Sequence, residues 1–98
     1  MLKIYNLEID EMPTGKSLDG EYCLEYNGSK SFYKNCVPHN TNGPAIVAGN
    51  FVAYYVNGVP HRVDGPAIVL HNGDGQYWLN GMFYPQIKND KEWSELVK

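Results

Sequence analysis

The sequence predicts a mainly β protein: an antiparallel β-meander of tandem hairpins, with about eight to ten short strands and one short C-terminal α-helix. Three observations predict it. The first is internal repetition. Val37-Pro38-His39-Asn40-Thr41-Asn42-Gly43-Pro44-Ala45-Ile46-Val47 returns 22 residues later as Val59-Pro60-His61-Arg62-Val63-Asp64-Gly65-Pro66-Ala67-Ile68-Val69, identical at eight of eleven positions. The second is the spacing of turn dipeptides. Asn27-Gly28, Asn35-Cys36, Asn42-Gly43, Gly49-Asn50, Asn57-Gly58, Asp64-Gly65, Asn72-Gly73 and Asn80-Gly81 follow one another at intervals of 7 or 8 residues. Asn-Gly and Asp-Gly accept positive φ at both central positions of a type I′ turn, so each marks a hairpin. The third is a capping box near the C-terminus, Asn89-Asp90-Lys91-Glu92.

Taken in chain order, Leu2 to Ile9 reads as a strand, and Asp10 to Gly20 as a polar loop punctuated by Pro13 and Gly15. A forerunner of the repeat stands at Tyr22 to Gly28. Phe32-Tyr33-Lys34-Asn35-Cys36 and Tyr54-Tyr55-Val56-Asn57-Gly58 then open the two full repeats, and Tyr77-Trp78-Leu79-Asn80-Gly81 opens a truncated third. Pro44 and Pro66 follow turn glycines and start strands. Pro38 and Pro60 fall inside short strands and lack an N–H for a ladder, so those strands must be irregular or must point that position away from a neighbour. Phe51 to Val56 and Ala67 to Leu70 are apolar on both faces, which predicts cover on both sides of the middle of the sheet. Trp93, Leu96 and Val97 share one face of the C-terminal helix, which must dock to persist. The chain reads as one domain, 1–98: residues 1–31 hold the N-terminal strand, acidic loop and first hairpin, 32–84 the repeat hairpins, and 89–98 the helix.

The 98 residues carry a formal charge of −3, seven lysines and a single arginine, Arg62. No basic run exceeds one residue, so the electrostatic footprint of a nucleic-acid binder is missing. From Asn35 to Ile87 the only formal charges are Arg62, Asp64 and Asp74. No apolar run approaches the ~18 residues of a membrane span. The first ten residues hold acids and no apolar core of a signal peptide. Cys23 and Cys36 match no metal-ligand spacing and read as free thiols in a reducing compartment. A cytoplasmic location is expected.

The repeated polar set is His39, Asn40 and Asn42, then His61, Arg62 and Asp64. It reads either as a ligand-contacting edge or as turn chemistry, in which each His bonds a neighbouring turn and Asn42 or Asp64 fixes its own. Recurrence in each repeat favours the structural reading. A metal site from His39, His61 and His71 lacks a supporting carboxylate or thiol. A catalytic pair of Cys36 and His61 lacks a visible activator. No metal and no cofactor are expected. A turn-rich chain this short has little material for an enclosed pocket, so an enzyme is not expected.

The pattern Tyr-Tyr-x-Asn-Gly-x-x-His-Arg-x-Asp-Gly-Pro-Ala at Tyr54 to Ala67, echoed at Phe32 to Ala45 and begun again at Tyr77, resembles the variant MORN-type repeats of bacteria and bacteriophages. The resemblance spans roughly half the chain. It implies a β-hairpin array that acts as an interaction surface without a catalytic apparatus; some similar proteins are described as antitoxin-like. The short, Asn- and Tyr-rich, Arg-poor chain also looks like a phage early protein. The aromatics supply the anchors for such a surface, since a small sheet cannot bury them all. The expected function is therefore a non-enzymatic interaction protein that binds and blocks a protein target, as a phage-encoded inhibitor of a host defence or toxin protein does. Tyr54, Tyr55, Arg62, Tyr77, Trp78 and Tyr84 are its expected partner-binding residues, and the acidic N-terminal segment adds charge. The alternative is a protein that sequesters a nucleotide-like small molecule through His39, His61 and Arg62, with a homo-oligomer gathering several copies of Arg62.

Overall fold

The computed structural model describes residues 2–7 and 20–97. The expected acidic loop, Asp10 to Gly20, lies outside the described residues except for Gly20. Among the described residues the chain forms twelve short strands and one helix. The fold is mainly β, with a large mixed sheet of tandem short strands and a C-terminal helix. Its extents are 43 × 25 × 17 Å and its radius of gyration is 14.6 Å. A compact chain of this length has a radius of about 13 Å, so the array is drawn out along the repeat direction.

The sheet begins with β1 (Lys3–Asn6), β2 (Glu21–Tyr26) and β3 (Ser29–Lys34). β1 pairs with β2 in parallel, with Lys3 opposite Tyr22, a departure from an all-antiparallel meander. β2 and β3 form the first hairpin, and Tyr22 stacks on Tyr33 across it at 5.3 Å. β3 then divides. Its first half, Lys30 and Ser31, pairs with β5 (Ile46–Ala48); its second half, Tyr33 and Lys34, pairs with β4 (Val37–Pro38). The same division recurs in each repeat. β6 (Phe51–Ala53) lies in the main sheet and continues through Tyr54 into β7 (Tyr55–Val56), which pairs only with β8 (Val59–Pro60). β9 (Ile68–Val69) returns to the main sheet beside β6. β10 (Gly75–Gln76) pairs with it and runs through Tyr77 into β11 (Trp78–Leu79), which pairs with β12 (Met82–Phe83).

Each long strand thus serves two rows, a main sheet and a row of two-stranded ribbons. The pivot residues are Phe32, Tyr54 and Tyr77. The N–H groups of Phe32 and Tyr54 donate to the main-sheet side, at the carbonyls of Ala45 and Ala67. Their carbonyls accept from the ribbon side, from His39 and His61, as the carbonyl of Tyr77 does from Tyr84. Ala45 and Ala67, the alanines of the Gly-Pro-Ala motif, are fully buried at these forks, and so is Ala53. The expected cover over the middle of the sheet is not supplied by the described residues. Phe51, Val52, Ile68 and Val69 stay half-buried, and the core consists of small residues at the forks and aromatic clusters at the ends.

Four of the predicted turns have positive φ at both central residues: Asn27-Gly28, Asn35-Cys36, Asn57-Gly58 and Asn80-Gly81. That is the type I′ signature. At Gly49-Asn50 only the glycine has positive φ, and at Asn72-Gly73 the glycine ends a three-residue loop closed by Leu70 N to Asp74 O at 2.8 Å. Asn42-Gly43 and Asp64-Gly65 are not hairpin turns: neither residue of either pair has positive φ. A type I′ turn closes on the N–H of the residue after the glycine, and that residue is Pro44 or Pro66. These segments are bends that carry the chain from a ribbon back to the fork. Pro38 and Pro60 sit opposite Tyr33 and Tyr55. They occupy the pair whose polar backbone groups face out of the ribbon, and their carbonyls accept from Gly58 and Gly81 of the next ribbon at 2.8 and 2.9 Å.

The helix α1 (Asp90–Leu96) starts at the predicted N-cap, but the returning bond of Glu92 reaches one residue before Asn89. Asn89 accepts from Glu92 N at 2.9 Å, and Glu92 Oε1 accepts from Lys88 N at 2.7 Å. Its docked face is narrower than the spacing implies: Trp93 is buried, whereas Leu96 is exposed. Trp93 packs on Tyr77 and Tyr84 at 5.3 and 5.4 Å, and the Tyr77 hydroxyl donates to Asp90 Oδ1 at 2.6 Å. Burial, with the Asp90 carboxylate beside it, pushes the Tyr77 phenol up to about 12.

A Cβ on Gly58 would stand 3.2 Å from Val37 Cβ at a φ of +85°, whereas Cys36 holds the equivalent position in the first ribbon at φ 71°. Thermal melts should show Gly58→Ala destabilised by about 1–2 kcal/mol and Cys36→Gly stabilised by up to about 1 kcal/mol. For Tyr77, the unfolded chain ionises near pH 10.0 and the folded chain near 12. Stability from this phenol is therefore whole below pH 10 and declines as pH rises through 12. Burial also raises the Tyr22 phenol, so a tyrosinate absorbance titration should show late-ionising tyrosines, and Tyr77→Phe should reduce the late amplitude without abolishing it.

Candidate functional site

The ribbon row has two faces, because cross-strand partners share a side. One face carries the pairs Tyr33–Pro38, Tyr55–Pro60 and Trp78–Phe83; the other carries Lys34–Val37, Val56–Val59 and Leu79–Met82. Val37, Val59 and Met82 occupy the same place in successive repeats and are 40%, 40% and 61% exposed. Gly58 and Gly81 let them line up: the space of a Cβ on Gly81 is 3.3 Å from Val59 Cβ, as that on Gly58 is from Val37 at 3.2 Å. The result is an apolar stripe along the ribbon row. On the other face, Phe83 stacks on Trp78 at 4.9 Å and is 41% exposed.

Val56 also lines a groove of about 590 Å³ between two successive bends, with Asn40, Thr41, Asn42 and Gly43 on one wall and His61, Arg62, Val63 and Asp64 on the other. Tyr54 completes the lining. The Arg62 guanidinium lies over the Tyr54 ring, with Cζ 4.0 Å from the centroid, and Nη1 donates to Pro66 O at 3.2 Å. Asn40 performs the same loop-closing task one repeat earlier, donating from Nδ2 to Pro44 O at 3.0 Å and accepting from Asn42 N.

The histidines do structural work. His39 Nδ1 accepts from Asn57 N and His61 Nδ1 from Asn80 N, both at 2.9 Å. Each ties its own ribbon to the turn of the next, so the ring is held with its proton on Nε2. His39 is buried, with Glu21 Oε1 4.0 Å from Nε2, and it lines a separate groove with Leu2, Phe32 and Tyr33. The structure therefore does not bring His39, His61 and Arg62 into one pocket. His71 lies elsewhere, against Phe51 at 5.8 Å. Among the described residues no three His, Cys, Asp or Glu side chains come close enough to hold a metal ion. Cys23 is buried and Cys36 is exposed at a ribbon tip; both are free thiols.

Of the residues expected to meet a partner, Tyr54 and Arg62 stack together in the groove, and Tyr55 and Trp78 are half-buried on the opposite face. Tyr77 and Tyr84 are turned into the cluster around Trp93, and Tyr77 is buried. Sequence reasoning missed the stripe of Val37, Val59 and Met82. The signal was present in the repeat, which places an apolar residue directly after each turn dipeptide, 22 residues apart from Val37 to Val59 and 23 from Val59 to Met82. No family model matches the chain, and no curated protein or solved structure matches it. Among the described residues no helix is long and apolar enough to cross a membrane.

The inter-repeat link can be tested directly. His61→Ala hands the exposed Asn80 N–H to water and should cost about 0.5–1.5 kcal/mol. Hydrogen exchange should report it as faster exchange at Asn80 and Gly81, with β5 and β6 unchanged.

Proposed function

We propose that the protein is a non-enzymatic docking module whose ribbon row binds a protein partner. The observation that carries this reading is the repeated exposure of Val37, Val59 and Met82 in a single line. Isolated apolar residues are ordinary on a surface, but apolar side chains in register along a row are what an extended partner segment or a flat apolar patch covers. The ribbons hold these side chains on short strands fixed by turns and inter-ribbon hydrogen bonds, so little order is lost on binding. Trp78 and Phe83 extend the apolar surface around the end of the row. The partner class that the resemblance to variant MORN-type repeats favours is a bacterial toxin or defence protein, blocked by occlusion in the cytoplasm by a phage-encoded or antitoxin-like chain.

Affinity capture from bacterial lysate tests the reading when it compares wild type with Val37→Thr/Val59→Thr/Met82→Gln. These substitutions keep the shape of the stripe and remove its apolar character. A stoichiometric partner should be held by wild type and weakened at least tenfold by the triple variant, with circular dichroism unchanged; losing three such apolar contacts costs more than about 1.4 kcal/mol. A folded triple variant that captures the same partner undiminished would overturn the stripe as the docking surface.

A further inference from the structure

We propose that the groove beside Arg62 is a carboxylate subsite that takes an aspartate or glutamate side chain of the partner segment lying on the apolar stripe, a proposal that rests on the docking reading above. The groove and the stripe are one continuous surface. Val56 lines the groove, and its cross-strand partner Val59 belongs to the stripe. A segment seated on Val37, Val59 and Met82 passes the mouth of the groove.

The charge on Arg62 is not needed to build the bend. Asn40, at the equivalent position, closes its bend with a neutral amide at 3.0 Å, where Arg62 uses one N–H at 3.2 Å. What Arg62 adds is a cation held in place. Tyr54 supports one side of the guanidinium at 4.0 Å, and the absence of a side chain at Gly65 leaves room beside it, since a Cβ there would stand 3.4 Å from Cζ. Among the described residues Arg62 forms no ion pair. A guanidinium stacked on an aromatic ring keeps its in-plane N–H donors for a ligand, and their fork matches a planar carboxylate. Pre-orientation removes much of the entropy that a free surface arginine loses on pairing.

The neighbours narrow the ligand. Thr41, Asn42 and Asp64 line the same groove as Arg62, so neutral polar residues and one acid accompany its cation. One arginine with an acid close by suits a single negative charge. A phosphate dianion would meet Asp64 as well as Arg62, with only one cation to balance it.

The test uses two acetylated, amidated peptides as probes, Leu-Glu-Val-Tyr and its twin Leu-Gln-Val-Tyr, with inorganic phosphate as a third. Binding is followed by NMR at the Arg62 Nε–H and at the amides of Val56 and Val59. The Glu peptide should bind about fivefold more tightly than the Gln peptide at low salt and shift the Arg62 signal. Arg62→Asn keeps an amide for Pro66 O and should make the two peptides equal. Equal affinity for the two peptides on wild type, no shift at Arg62 with either, or tighter binding of phosphate than of the Glu peptide each overturns the subsite. The two readings fail separately. A captured partner that is lost by Val37→Thr/Val59→Thr/Met82→Gln but kept undiminished by Arg62→Asn leaves the docking surface standing and removes the subsite. A triple variant that still captures it removes the docking surface itself.

Discussion

One contact recurs wherever one repeat meets the next: a histidine Nδ1 accepting the turn N–H of the following ribbon, His39 from Asn57 and His61 from Asn80. The type I′ turn points this N–H out of its own hairpin, where it needs an acceptor. The histidine supplies one from a side chain whose own backbone N–H is already bonded to the pivot carbonyl. Two backbone bonds accompany each link. Gly58 and Gly81 donate to Pro38 and Pro60, and Asn40 and Arg62 donate to Tyr55 and Trp78. The ribbons have little core of their own, since a two-stranded hairpin is marginal in water. Stacking them through these links is what makes a row, and the stripe and groove exist only because the row does.

The repeat explains why its signature residues recur. Glycine follows asparagine in the second and third ribbons because positive φ coincides there with a valine of the preceding ribbon at about 3.2–3.3 Å. In the first ribbon Cys36 stands in the same backbone conformation, exposed. Its turn is held instead by Gly20, whose carbonyl accepts from Asn35 N and whose N–H donates to Asn35 Oδ1. Alanine follows Gly-Pro because the fork between the two rows has no room for more than a methyl group, with Ala45 and Ala67 at zero exposure.

Much of this was legible in the sequence, because turns and caps are local. The four Asn-Gly or Asn-Cys hairpins, the Asn89 cap and the outward position of Pro38 and Pro60 follow from φ preferences and missing donors within a few residues. The division of each strand between two rows was not legible. A pivot such as Tyr54 differs from an ordinary strand residue only in where its N–H and carbonyl find partners, which is a long-range fact. The bends at Asn42-Gly43 and Asp64-Gly65 were misread, although the correction lies in the next residue: proline cannot close the turn. The parallel pairing of β1 is likewise set by tertiary contact. In the candidate site, Arg62 and Tyr54 were identifiable by type, but their stacking depends on the fork that brings the bend back over the pivot. Tyr77 and Tyr84 carry the same signature as surface anchors and are instead consumed by Trp93, because the third repeat has a helix where the strand returning to the main sheet would be.

The third repeat also shows how the array stops. At the position of His39 and His61 it has Tyr84, which offers no imidazole acceptor and packs edge-on against Trp93. At the position of Asn40 and Arg62 it has Pro85, which has no N–H to donate to a further ribbon. Two of the three links that join one ribbon to the next are therefore deleted at this end, while Gly20 occupies the other. Growth by adding a ribbon is disfavoured at both ends, which is how an exposed strand edge is kept from recruiting another chain. What the row leaves open is its flank. The repeat positions along that flank are apolar or half-apolar in all three ribbons, and the one arginine of the chain lies at their side. With both ends of the row blocked and this flank uncovered, the docking proposed above is side-on, with contacts that repeat with the ribbons.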